Sequence, residues 1–474
     1  MDEATMRELG YRAVDALVER RLGLPDAPPW MGALRTELEP LLMEPAPEEG
    51  RAPGAVLDRA LQDVLPRAGR IDHPRFFAFV PSWPTWPAIV ADLLATGFNI
   101  FQGTWLESAG PSQIELVVLD WFREWLGYPE GAGGILTSGG SAANLDALVT
   151  AREHAGNPER GVVYLSDQGH SSLERAARIA GIPSERIRHI PTDDGFRMRV
   201  DLLEAAMARD REDGATPVCV CATAGATNTG ATDPLPELAA LCRERGVWLH
   251  VDAAYGGFAV LTERGREAFR GIDEADSITL DPHKWLFQPY ETGCLMVRDV
   301  ARLEAAFRIL PEYLQDTRLG AQHVNFADRG IQLTRSFRAL RIWMSIQTFG
   351  VRGHRDEIDR TLDLAQRAGR RIAASPDIEL LSPPMLGVVC FRYRPAGSAG
   401  SAGSAGSMSP DELESLNRSV QDRINQEGTA MMSSTRLRGE YSLRLCILNV
   451  QSGWADVEAT LGRIEEIGRA LSCP

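Results

Sequence analysis

The 474-residue sequence has few lysines, and its positive charge is nearly all arginine. It also has no basic block, no long apolar run and no C-x-x-C cysteine pair. Each absence excludes something. Without a basic patch, and with a net charge of -15, nucleic acid is not an expected partner. No apolar run approaches the roughly 18 residues that span a bilayer, so no membrane crossing is expected. The N-terminus "MDEATMRELGYRAVDALVERR" lacks the basic start and apolar core of a secretory signal. The seven cysteines, Cys219, Cys221, Cys242, Cys294, Cys390, Cys446 and Cys473, are scattered and odd in number. That pattern predicts reduced, mostly buried thiols in a cytoplasmic protein, not a disulfide frame or a metal site.

What is present is ordinary globular composition, 44% hydrophobic and 24% charged, on a chain long enough for two or three domains. The first part has helical periodicity and is expected to fold back on its own chain or clasp a partner. In the middle, short apolar runs alternate with helical ones. "GGILT" precedes "SAANLDALVTAREH", "VVYLS" precedes "SSLERAARIAG", and "PVCVCAT" precedes "PLPELAALCRERG". "VWLHVDAA", "SITLD" and "GCLMVRD" follow. This rhythm predicts an α/β fold with a mainly parallel sheet covered on both faces. Gly246 is the expected stop of the helix before "VWLHVDAA". After about residue 350 the pattern changes to a smaller α+β domain. It is interrupted by a repeat of alanine, glycine and serine at 396–409, expected to be a flexible loop. "SPDE" just after it reads as a helix start. The expected division is 1–75, 76–350 and 351–474.

Three stretches put polar groups at strand ends, where open α/β sheets bind ligands. In "LTSGGSAAN" a strand runs into glycines and then a helix, which suits an anion as well as a simple helix cap. It is not a Walker loop, since no G-K-[ST] follows. In "WLHVDAAYGG", Asp252 follows an apolar strand, as a carboxylate paired with a cation or as a capping residue. In "LDPHKWL", Lys284 follows the next strand, as a nucleophile or as a surface lysine in a turn. Together they are what pyridoxal phosphate needs: a phosphate cradle, an acid for its ring nitrogen and an amine for its aldehyde. His170 in "SDQGHSS" could stack on a flat ring, and Thr227 in "TAGATNTG" could reach the same pocket.

The stretches "HPRFFAFVPS", "LTSGGSAANLDALVTAR", "DQGHSSLERAARIAGI", "WLHVDAAYGG", "DSITLDPHKWL" and "RSFRALRIW" resemble, in order, the group II pyridoxal-phosphate-dependent amino acid decarboxylases. The resemblance implies a fold-type-I homodimer with a mainly parallel seven-stranded sheet and a small C-terminal domain. It implies that Lys284 carries the cofactor aldehyde, that Asp252 pairs with the ring nitrogen, and that His170 stacks on the ring. It implies that Gly140, Ser141, Asp281 and His283 surround the phosphate, that Ala254 packs on the ring, and that Thr227 lies near the ring hydroxyl. Phe79, Val80, Pro81, Ser82 and Trp105 are implied for the substrate pocket, with core packing as the alternative for Phe79 and Val80. The implied reaction is decarboxylation of an L-amino acid, expected to be aromatic.

One position departs from the family. Counting back from "RSFRALRIW", the loop tyrosine that returns a proton in aromatic amino acid decarboxylases is Phe326 here, and a phenyl ring has no proton to give. In plant members, phenylalanine at this place goes with aldehyde synthases. An oxygen-dependent aldehyde synthase is therefore the alternative product chemistry. His170 or His323 could supply the proton instead, while Tyr313 is too early in the loop. A glutamate-type substrate also stays open, because "TSGGSAAN" has that branch's look.

Overall fold

The computed structural model describes residues 1–309, 320, 322–396 and 408–472. The chain divides into two compact units, one of Ser82–Gly369 with Ser382–Cys390, the other of Met1–Pro81, Arg370–Leu381 and Phe391–Pro474.

The larger unit holds seven strands: β1 (Gly133–Thr137), β2 (Gly161–Ser166), β3 (Ile187–Ile190), β4 (Thr216–Thr223), β5 (Trp248–Asp252), β6 (Ser277–Leu280) and β7 (Gly293–Val297). Their order in the sheet is β1-β7-β6-β5-β4-β2-β3. β7 runs antiparallel to both β1 and β6, and the other pairings are parallel. Parallel neighbours need crossovers: the helix Ser171–Ile179 links β2 to β3 and Leu235–Arg245 links β4 to β5, while Gly140–His154 and Val200–Glu212 carry the chain from β1 to β2 and from β3 to β4. β2, β5, β6 and β7 are buried at every position, as strands covered on both faces must be. The Leu235–Arg245 helix stops at Gly246, whose φ of 62° is left-handed, as its sequence predicts.

The smaller unit carries a four-stranded sheet, adding β8 (Ile378–Leu380), β9 (Val388–Tyr393), β10 (Ser433–Leu437) and β11 (Glu440–Cys446) in the order β10-β11-β9-β8. This division differs from the expected 1–75, 76–350 and 351–474. The N-terminal stretch joins the small sheet because Phe77 N–H donates to the Met431 carbonyl (2.7 Å) and Cys446 N–H donates to the Phe77 carbonyl (2.9 Å). At the other expected boundary, the helical run Ala339–Ala373 continues past residue 350, with one kink at Gly350. The helix Pro410–Gln426 opens on a capping box of Ser409 and Glu412, the "SPDE" signature. Most of the alanine-glycine-serine repeat (397–407) lies outside the described residues, as do Tyr313 and Cys473. The other six cysteines are buried, and none forms a disulfide among the described residues. No described helix is long and apolar enough to cross a membrane.

Candidate active site

The carboxyl ends of β1, β2, β4, β5 and β6 open into one cavity of about 320 Å³. On one side, β1 turns through Ser138 and Gly139 into the helix Gly140–His154, whose first N–H groups have no partner within the helix. The turn is tightly packed against the far wall. A Cβ on Gly140 would lie 3.0 Å from Asp281 Oδ2 and 3.1 Å from Ala254 Cβ. Behind it, Gly293 of β7 backs onto Gly139, where a Cβ would sit 2.4 Å from the Gly139 Cα.

Asp252 ends β5 and is buried. Its carboxylate accepts from Ala254 N–H at 3.1 Å and from the Asn144 side-chain amide at 3.0 Å. These donors offset the cost of burying a charge. His170 follows β2 and caps the helix Ser171–Ile179, its Nδ1 taking the Ser172 N–H at 3.2 Å. Its ring is exposed to the cavity.

Lys284 is the sequence's only lysine. It lies in a tight turn after β6, closed by Lys284 N–H donating to the Asp281 carbonyl at 2.9 Å. Its Nζ is 2.9 Å from Asp281 Oδ2. The neighbours of the lysine hold the turn. Trp285 is fully buried and stacks on Tyr255, with centroids 5.2 Å apart. His283 Nδ1 donates to the Thr292 carbonyl at 2.8 Å. Burial lowers the pKa of His283, outweighing the pull of Asp281, so the imidazole is neutral. The Ser82 hydroxyl donates to the His283 carbonyl at 2.6 Å. Ser82, expected in a substrate pocket, thus pins the backbone of the lysine turn.

All nine residues expected around a cofactor line this cavity, from Gly140 and Ser141 to His283 and Lys284. Two buried oxygens at its wall, Asp281 Oδ1 and Thr223 Oγ1, have no hydrogen-bond partner among the described residues, which suits a polar occupant. Amine, glycine cradle, buried carboxylate and exposed imidazole fit pyridoxal phosphate.

The expected substrate residues are distributed differently. Phe79, Val80 and Pro81 belong to the smaller unit, where Phe79 is 65% exposed and its N–H donates to Ser433 Oγ at 3.2 Å. Trp105 is half-buried, 5.2 Å from the His323 ring, with its N–H on Asn325 Oδ1. Phe326 corrects the loop reading. It is fully buried, with the guanidinium of Arg335 5.0 Å and that of Arg329 5.5 Å from its ring centre. It has no surface to offer a substrate in this conformation. Sequence reasoning missed Asn144, Ser172, Thr223 and Tyr255 at the cavity wall. Asn144 could have been found by helix geometry, since it lies one turn beyond Gly140 on the same face.

Comparison with known proteins follows the same lines. Residues 36–394 match the family model described as the pyridoxal-dependent decarboxylase conserved domain. The aromatic-L-amino-acid decarboxylase of Bacillus atrophaeus is 39% identical over 98% of this chain and 96% of its own. The phenylacetaldehyde synthase of Arabidopsis thaliana is 31% identical over 94% of this chain and 92% of its own. The crystal structure of Oryza sativa TDC with PLP and tryptamine superposes with a TM-score of 0.93 at 28% identity, covering 100% of this chain and 99% of that one.

Proposed function

The chain belongs to the pyridoxal-dependent decarboxylase family, a fold-type-I carboxy-lyase with pyridoxal 5'-phosphate as cofactor, and we propose that it converts an aromatic L-amino acid to the amine and CO2. The observation that carries this reading is the chain's only lysine sharing one cavity with Asp252 and a glycine cradle. The aromatic substrate is supported by the Bacillus atrophaeus relative named above.

Bound in this cavity, pyridoxal phosphate would supply an aldehyde for the substrate amine and a protonated ring as the electron sink for loss of CO2. The remaining work falls to the protein. Lys284 Nζ, partly shielded by its turn, binds the aldehyde. The cradle of Ser138–Ser141 binds the phosphate through backbone N–H groups and the helix N-terminus. The Asp252 carboxylate would hold the proton on the ring nitrogen, and Ala254 would pack beside it. His170 would cover the ring and presents an imidazole that can move a proton. Thr227, which lines the same cavity, would meet the ring hydroxyl.

The protein acts as a cytoplasmic homodimer. The helix Glu3–Leu22 supports the dimer, since none of its residues is buried and Tyr11, Leu17 and Leu22 stay exposed. Burial of the described cysteines without disulfides fits a reducing compartment.

The test is mass spectrometry of products from the cofactor-loaded enzyme in air, given tryptophan, tyrosine, dopa, phenylalanine, histidine and glutamate together. Aromatic amine is the expected product. Aldehyde with peroxide would make the protein an aldehyde synthase, and decarboxylated glutamate would move it to the acidic branch. Borohydride reduction of the loaded protein should fix the cofactor on the peptide containing Lys284.

A further inference from the structure

Behind the cavity wall, buried side chains form one hydrogen-bonded chain whose proton positions follow from which atoms can donate. An ionised Asp252 only accepts, so Asn144 turns its NH2 group to Oδ2, at 3.0 Å. The second N–H of that NH2 meets Ser172 Oγ at 3.0 Å. Asn144 Oδ1 then faces His250 Nε2 at 3.0 Å, and that nitrogen must carry a proton. His250 is fully buried and neutral, because burial pushes its pKa down to about 4. Its Nδ1 therefore accepts, from the Ser277 hydroxyl at 2.8 Å. Ser277 Oγ in turn accepts from Trp248 Nε1–H at 2.8 Å, since an indole N–H can only donate. At the other end, His170 Nδ1 takes the Ser172 N–H at 3.2 Å and is therefore an acceptor, so the Ser172 hydroxyl, 2.8 Å away, donates to it as well. With Nδ1 filled, a neutral His170 carries its proton on Nε2.

Two groups that face the cofactor are thus wired to one amide. We propose that Asn144 is a positioning residue for both: its NH2 orients the Asp252 carboxylate and, through the Ser172 hydroxyl, steadies the ring of His170. The proposal rests on the decarboxylase reading above. Asn144 is 1% exposed and sits on the first turns of the cradle helix, so it moves with neither partner's strand. The two arms are separable. Ser172→Ala removes only the hydroxyl contact to His170 and keeps the Ser172 N–H on Nδ1, whereas Asn144→Leu, of similar size, breaks the links to both Asp252 and Ser172.

The experiment compares the parent with both variants in cofactor-loaded form, recording the visible absorption band without substrate and then kcat and KM. Asn144→Leu should shift the band, because Asp252 no longer holds the ring nitrogen in one arrangement. It should also lower kcat roughly ten- to a hundredfold, the range of one charge-assisted hydrogen bond. Ser172→Ala should lower kcat with the band unmoved and KM nearly unchanged. If Asn144→Leu overpacks and fails to fold, Asn144→Ala leaves room and is read in the same way. A folded Asn144 variant with the parent's band and kcat overturns the proposal. A parent chain that shows no cofactor band at all overturns the decarboxylase reading, and the proposal with it.

Discussion

Arg335 opens the "RSFRALRIW" stretch, and the structure gives it a measurable task. Its Nη2 lies 2.6 Å from Glu115 Oε1, and neither side chain has any exposed surface. Arg335 also donates to the carbonyls of Leu136 (2.7 Å) and Gln102 (3.1 Å). Glu115 in turn accepts from Leu136 N–H (2.9 Å) and Gln102 Nε2 (2.7 Å). The pair therefore grips both polar groups of Leu136, three residues before Gly139 of the cradle. Arg335→Met would leave Glu115 as a buried, uncompensated charge, which costs about 3–5 kcal/mol. Adding Glu115→Gln removes that charge, so the double variant should recover about 2 kcal/mol or more of the loss. Equilibrium urea unfolding of the parent, the two single variants and the double variant, followed by tryptophan fluorescence, reads the cycle. Cofactor affinity should fall in the single variants, because the backbone that leads into the cradle loses its grip. A single Arg335→Met loss below about 1 kcal/mol, or strictly additive effects, would refute the reasoning.

Two further outcomes follow from buried groups. Burial raises the Asp146 carboxyl from 3.8 to about 7. The folded protein then keeps a proton that the unfolded chain has released, so its stability is fully present below pH 3.8 and drains away as pH rises to about 7. The loss is at most about 4 kcal/mol. Asp146→Asn should therefore gain on the parent at pH 8 and match it near pH 4 in thermal unfolding, and equal differences at both pH values would show that the carboxyl does not titrate this way. Phe326→Tyr adds a hydroxyl to a fully buried ring. It should cost about 1–3 kcal/mol in a denaturant titration. The amine-to-aldehyde ratio should not change, and a clear rise in amine would return this ring to the reacting centre.

The sequence made legible whatever is local. "LDPHKWL" reads as a lysine at a strand end because the turn, the strand and the buried tryptophan lie within a few residues of one another. The anion cradle reads for the same reason, as glycines between a strand and a helix. What could not be read depends on partners far along the chain. Asn144 meets Asp252 and His250 only once the helix Gly140–His154 packs under β5. Phe326 looked like a residue facing substrate because loop alignment carries no burial, and Arg335 and Arg329 decide its place. The N-terminal stretch looked separate because its link to the small sheet is made by backbone groups at Phe77, which leave no trace in side-chain pattern, and by side chains far along the chain such as Ser433 and Asn449.

β1 is an edge strand whose neighbour in the sheet is β7, with Thr137 paired to Gly293. The segment that leads into the phosphate cradle therefore has no partner while the chain between them is being made, on the order of ten seconds of synthesis. The lysine turn emerges only just before β7 does. Both halves of the cofactor site thus mature at one late moment, when β7 slots between β1 and β6. Cofactor capture then reports that the seven-stranded sheet has closed, and a chain truncated before residue 293 should remain without cofactor.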